Sequence, residues 1–231
     1  TVLTVRPSQL DRMANDPQVS DIAADDIVFS RMALTTQATG ANQVWPGNGS
    51  DFGGITGRGV NVAVIDSGIA PNDDLRNRIV MSRDFTRTTS SGEGSISDAV
   101  DAFGHGTHIA GIIAGSGNGS RSATSVANTG MAPGAGIINL KVLGADGSGL
   151  VSTVIKAVEW CIANRERYNI RVINLSLGRP SSDNFMTDPL VISVERAVRA
   201  GIVVVAAAGN LGRHDGQDIV GAIESPGYAP D

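Results

Sequence analysis

Three polar residues stand where runs of apolar residues end, and their side chains belong to the types that orient charge, move protons and donate hydrogen bonds. Asp66 closes Val62-Ala63-Val64-Ile65 and leads into Ser67-Gly68, which puts a carboxylate at the tip of an apolar strand beside a tight turn. His105 opens His105-Gly106-Thr107-His108-Ile109-Ala110-Gly111, where Gly106, Ala110 and Gly111 are small enough to let a helix lie against neighbouring backbone. Asn210 closes Val203-Val204-Val205-Ala206-Ala207-Ala208-Gly209. Each has an ordinary alternative. A strand-terminal Asp caps helices and shapes turns, and an Asn after Gly is a common turn amide. His105 and His108 stand at i and i+3, a spacing open to a metal with a carboxylate, but no HExxH helix or other known ligand spacing accompanies them. His108 is therefore assigned to the core or to a supporting role.

The elements that must position these residues follow from periodicity. From residue 60 onward, short apolar runs at 60–65, 136–143, 170–177 and 202–208 alternate with helical patterns. This predicts an α/β fold, a mainly parallel sheet with helices on both faces, joined in right-handed βαβ units. Val151, Val154, Ile155, Val158 and Ile162 repeat at helical spacing; a second helix is bracketed by Asp188 as N-cap, Pro189 at its first position and Gly201 past its end. Ligands of such sheets collect at the carboxyl ends of the strands, where Asp66 and Asn210 fall. The Ser-, Gly- and Asn-rich stretch 116–129 reads as a long loop.

The opening reads differently. A strand at 2–5, a short helix from Pro7 and Ser8 through Met13 that closes near Asp16-Pro17, and an extended segment at 19–29 are too little to fold alone. A polar passage at 31–59 looks like a surface connection, with the boundary near 30–34. The expected domains are 1–32 and 33–231.

Taken in order, Val62-Ala63-Val64-Ile65-Asp66-Ser67-Gly68, the His105–Gly111 segment, Asn174-Leu175-Ser176-Leu177-Gly178 and Ala206-Ala207-Ala208-Gly209-Asn210 resemble the motifs of subtilisin-like serine peptidases. The resemblance runs from about residue 57 to 231. It implies that Asp66 supports His105 and that His105 serves a serine as general base and the leaving amine as general acid. It also implies that Asn210 donates to the oxyanion. Lys141-Val142-Leu143-Gly144-Ala145-Asp146-Gly147-Ser148-Gly149 matches as well. Gly147, Ser148 and Gly149 would then form one edge of a cleft for an extended polypeptide, and Ser176, Leu177 and Gly178 the other, with Ala208 and Gly209 beside them. Ile223-Glu224-Ser225-Pro226-Gly227 resembles the base of the pocket for the residue before the cleaved bond. Glu224 there would favour Lys or Arg; turned outward it would leave the pocket broad.

By the same resemblance residues 1–32 are the second half of an inhibitory propeptide acting within its own chain, and the protein is secreted. The family's Gly-Thr-Ser-Met-Ala nucleophile motif has no match in the 231 residues. The expectation is a precursor truncated at both ends, its remainder elsewhere or on a separate chain, and inactive alone. The alternative is a pseudopeptidase or interaction module that keeps the fold without a nucleophile. Asp74, followed by Leu75, resembles a calcium ligand, but the loop after Gly115 is longer here and its Asn pattern differs. Structural calcium stays open, and no cofactor is required for the chemistry.

Composition limits the other classes. A net charge of −5 with 18 scattered Lys and Arg residues gives no basic footprint for nucleic acid. The longest apolar run, 202–208, is far short of a membrane span, and Thr1 opens without a secretory signal pattern. No strand is followed by GxGxxG or a Walker A loop. The single cysteine, Cys161, permits no disulfide within the chain and reads as a small buried hydrophobe.

Overall fold

The computed structural model describes residues 6–19, 32–46, 54–88, 94–95, 99–124, 127–180, 184–210, 212–214, 217–218 and 221–230. The chain divides into two compact units, Thr1–Arg31 and Met32–Asp231. In the first, a 3-10 turn at Pro7–Gln9 runs into α1 (Leu10–Ala14), where the sequence predicts a helix. The expected strand at 2–5 and the extended segment beyond Val19 lie outside the described residues.

The second unit opens with α2 (Met32–Ala38) and α3 (Ala41–Val44), separated by Gly40 in the left-handed region at φ 74°. The sequence reading treats 31–59 as irregular connection and so misses both. The run 32–38 contains no Gly or Pro to interrupt a helix, and Gly40 ends it. Trp45 then ties this segment down by donating its indole N–H to the Met131 carbonyl at 3.2 Å.

Six strands form the main sheet: β1 (Asn61–Asp66), β2 (Ile79–Thr88), β3 (Gly94–Ser95), β4 (Gly136–Lys141), β5 (Ile170–Leu175) and β6 (Val203–Ala206). Their order is β3-β2-β4-β1-β5-β6, and every pairing is parallel except β2 with β3. The helices that follow the strands are α4 (His105–Ala114), α5 (Asn118–Thr124), α6 (Val151–Asn164) and α7 (Pro189–Arg199). β1 shows why its run is apolar at every position. Ala63 and Ile65 pack with Val154, Ala157 and Val158 of α6 and Val194 and Ala197 of α7, whereas Val62 and Val64 pack with Ala110 and Ala114 of α4. A strand covered on both faces has no solvent side to mark with polar residues.

Three details depart from the sequence reading. β2 is a ten-residue strand with no clean apolar run, because charged and hydroxylated residues (Ser82, Arg83, Asp84, Thr86, Arg87) interrupt it. α5 lies inside the stretch read as a long loop. Gly117 at φ 74° turns the chain into it, and the short polar residues that favour loops also serve helix starts, Ser116 Oγ accepting from the Asn118 N–H. Strands β4, β5 and β6 stop at Lys141, Leu175 and Ala206, two residues before their apolar runs end. The apolar residues beyond β4 and β5, Leu143 and Leu177, line a cleft instead.

Candidate active site

Asp66 is the last residue of β1 and only 1% exposed, so its charge needs partners close by. Ser67 N–H donates to Oδ1 at 2.7 Å, and His105 Nδ1 lies 2.9 Å from both Oδ1 and Oδ2. The Asp66 carbonyl accepts the N–H groups of Val142 and Leu143, while Lys141 donates its ammonium to the Ser67 carbonyl. Gly68 sits at φ 103°, and a Cβ there would fall 2.5 Å from the Ala99 carbonyl oxygen. Only glycine fits both limits.

His105 is the first residue of α4. A Cβ on the next residue, Gly106, would lie 2.3 Å from the Gly68 carbonyl oxygen and 3.2 Å from Asp66 Oδ1. The glycine is what lets the helix start against the turn that carries the carboxylate. Its N–H donates to Ser67 Oγ at 2.9 Å. With Nδ1 held by Asp66, the opposite ring nitrogen is left for the cleft, which the 38%-exposed His105 side chain lines.

Asp101, which the sequence reading passes over, fixes the helix start. Its Oδ1 accepts from the N–H groups of Phe103 and Gly104, and its Oδ2 accepts from the N–H and hydroxyl of Thr107. Burial pushes this carboxyl up, but the bonds from Thr107, Gly104 and Ser67 outweigh it and hold the group at about 2. The legible signal was an Asp ahead of a glycine and a helical pattern, a capping arrangement. His108, assigned to the core or to a supporting role, is exposed. The buried positions of α4 are Gly106, Ala110 and Ala114, spaced four apart, and residue 108 falls on the opposite side of the helix.

A cleft of about 440 Å³ opens in front of His105. It brings together Gly147, Ser148 and Gly149 after β4, Ser176, Leu177 and Gly178 after β5, Asn210 after β6, and Glu224. Ala208 and Gly209 do not line it directly; Gly209, at φ 102°, backs onto Glu224, and the Ala208 carbonyl accepts the Glu224 N–H at 2.9 Å. The 144–148 turn is closed by the Gly144 N–H donating to the Ser148 carbonyl and by Asp146 accepting from the Ser148 N–H and hydroxyl. Phe103 lies over Gly147 so closely that a Cβ there would be 2.5 Å from the ring.

Glu224 is half-buried between two glycines. A Cβ at Gly178 would come 2.9 Å from its Oε2, and one at Gly209 would come 2.6 Å from its Cγ. Among the described residues its carboxylate has no hydrogen-bond or ion-pair partner. The neighbouring Arg179 is paired, its Nη2 3.0 Å from Oδ2 of the fully buried Asp188. Burial raises the Asp188 carboxyl, but bonds from the Tyr228 hydroxyl and the N–H groups of Leu190 and Val191 overcome this and hold it below the ordinary range.

Asp74 lies away from these residues in sequence and serves its own loop. Its Oδ1 accepts from Ser116 Oγ and the Gly119 N–H, both at 2.9 Å. No group of three His, Cys, Asp or Glu side chains able to hold a metal gathers among the described residues. Cys161 is fully buried in α6, and burial pushes its thiol far up. Among the described residues no helix is long and apolar enough to cross a membrane.

The model of the Subtilase family matches residues 57–229. Serine protease AprX of Bacillus subtilis is 37% identical over 231 residues, which cover 97% of this chain and 48% of that protein. Minor extracellular protease Epr of Bacillus subtilis is 38% identical over 159 residues, covering 69% of this chain and 21% of Epr. Among solved structures, Sphericase superposes with a TM-score of 0.60 at 29% identity, covering 80% of this chain and 56% of that one. The chain spans about half the length, or less, of the curated relatives it matches.

Proposed function

Because this chain belongs to the subtilase family, we propose that it carries the general base, the supporting acid and the oxyanion donor of a serine endopeptidase whose nucleophile lies outside residues 1–231. The contact that carries the reading is Asp66 with His105 Nδ1 at 2.9 Å, at the head of a cleft. His105 takes the serine proton on its outward nitrogen as the hydroxyl oxygen attacks the peptide carbonyl. Asp66 stabilises the imidazolium that forms, and the imidazolium returns the proton to the leaving amine as the C–N bond breaks. Water then repeats the sequence on the acyl-enzyme. Asn210, on the cleft wall, donates its amide to the oxyanion; loss of such a donor costs about 10²- to 10³-fold in turnover in a related peptidase. The extended substrate pairs its backbone with the 147–149 and 176–178 edges.

Glu224 sets the preference for the residue before the cleaved bond. A carboxylate between Gly178 and Gly209 that has no partner among the described residues suits a Lys or Arg side chain. Residues 1–32 belong in this reading to an inhibitory propeptide, which makes the protein a zymogen; that it is secreted is in line with the name of the extracellular relative. The 231-residue chain alone should leave peptide amides uncleaved, while the full-length protein cleaves them and loses that activity on His105→Ala. Hydrolysis by the short chain that a serine-directed phosphonate abolishes would place the nucleophile within it and end this reading. In the full-length protein, an Arg:Phe ratio of kcat/KM that Glu224→Gln leaves unchanged would remove Glu224 from the pocket.

A further inference from the structure

Ser67 takes no part in the chemistry proposed above and has no exposed surface, yet each of its polar groups is engaged. Its N–H donates to Asp66 Oδ1 at 2.7 Å, and its carbonyl accepts from the Lys141 ammonium. Its hydroxyl oxygen accepts the Gly106 N–H at 2.9 Å, and the hydroxyl donates to the Asp101 carboxylate, one of the bonds that hold that group low. A buried hydroxyl must be paired, but many partners would satisfy it. These partners matter for where they stand.

Ser67 follows Asp66 in the chain, and Gly106 follows His105. The Ser67–Gly106 bond and the Asp66–His105 contact therefore close a small ring around the two site residues. At the start of α4 the N-cap Gly104 supplies no side-chain acceptor, so the N–H groups there depend on other segments. Phe103, Gly104 and Thr107 donate to Asp101, whereas the buried Gly106 donates to Ser67. The other described bond between the turn after β1 and the helix, from the Ala70 N–H to Thr107 Oγ1 at 2.9 Å, lies farther along both segments. We infer that Ser67 is a positioning residue whose hydroxyl fixes the start of α4 against the end of β1 and so sets the His105 imidazole on the Asp66 carboxylate. The inference rests on the reading of His105 as the general base.

The test is Ser67→Ala in the full-length protein, which removes the hydroxyl and adds no bulk. The Gly106 N–H then loses its acceptor, and the helix start is free to shift against the carboxylate. Turnover should fall about tenfold, less than the roughly 10²-fold that a displacement of about 1 Å can cost. KM should change by no more than about twofold, because the cleft edges are untouched. Ser67→Thr keeps the hydroxyl and should return turnover to near the parent value. A hydroxyl that served stability alone would lower Tm and leave turnover, measured well below Tm, as in the parent.

A second readout needs no hydrolysis: the low-field proton NMR resonance of His105 Nδ1–H, assigned by its loss in His105→Ala. It should move or vanish in Ser67→Ala and return to its parent position in Ser67→Thr. In a full-length protein that cleaves nothing, this pattern leaves the positioning role standing while the peptidase reading fails; a resonance unmoved in Ser67→Ala ends both. Where the parent does cleave, parental turnover in Ser67→Ala overturns the inference and leaves the peptidase reading intact. A loss in folded Ser67→Thr as large as in Ser67→Ala overturns it too, because the effect would then lie in packing and not in the hydroxyl.

Discussion

At the β1 end of the cleft, Asp66 is buried, and its oxygens are taken by His105 and by the N–H of Ser67; close by, Asp101 accepts four bonds from Phe103, Gly104 and Thr107. At the far end, Glu224 is half-buried between glycines without a described partner. The same functional group serves two purposes. A carboxylate whose partners all come from the protein fixes the position of something else, here an imidazole and a helix start. A carboxylate left facing the cleft has its pairing completed by a ligand.

The sharpest way to break this contrast is Asp66→Asn in the full-length protein. Turnover should fall about 10⁴-fold, the scale found in serine peptidases with the same triad, with KM changed only a few-fold. Turnover within about threefold of the parent would take Asp66 out of the site. Gly106→Ala tests the packing beneath that pair. The added methyl meets the Gly68 carbonyl and the Asp66 carboxylate, so stability should fall by about 1–3 kcal/mol, read as a lower Tm.

Asp101 offers a test by pH. Its folded-state carboxyl is held at about 2, below the ordinary 3.8. Its contribution is thus present in full above the ordinary value and is lost as the pH falls through about 2. Melting temperatures of the parent should drop more steeply between about pH 4 and pH 2 than those of Asp101→Asn. Parallel slopes would show that the cap carries no such linkage. The smallest effect belongs to Glu224→Gln, whose Tm should stay within about 1 °C of the parent, as for a side chain that loses no partner. A marked drop would mean that Glu224 is paired within the protein and that the contrast between the two ends is wrong.

Much of this arrangement is legible in the sequence, and for a physical reason. β1 is buried on both faces, so its residues form an uninterrupted apolar run whose polar terminus stands out; the α7 boundaries are written in Asp188, Pro189 and Gly201. β2 escapes notice because charged and hydroxylated residues interrupt it, and α2, α3 and α5 because their small polar residues serve turns and helices alike. The supporting residues are the hardest to see. Asp101, Lys141 and Asp188 act through partners brought near by folding, such as Ser67 for Lys141 and Tyr228 for Asp188, and no local pattern reports a bond across 40 or 74 residues. His108 shows the converse: a polar residue one turn beyond a site residue invites a role, yet helix geometry turns it to solvent.

The account stands or falls on whether the Asp66–His105 pair activates a serine. The direct measurement is covalent labelling of the full-length protein with a fluorophosphonate, followed by peptide mapping, in the parent and in His105→Ala. The expected result is one phosphonylated serine per molecule, located outside residues 1–231, with labelling lost in the variant. A folded full-length protein that takes up no label, or whose label is independent of His105, would contradict it.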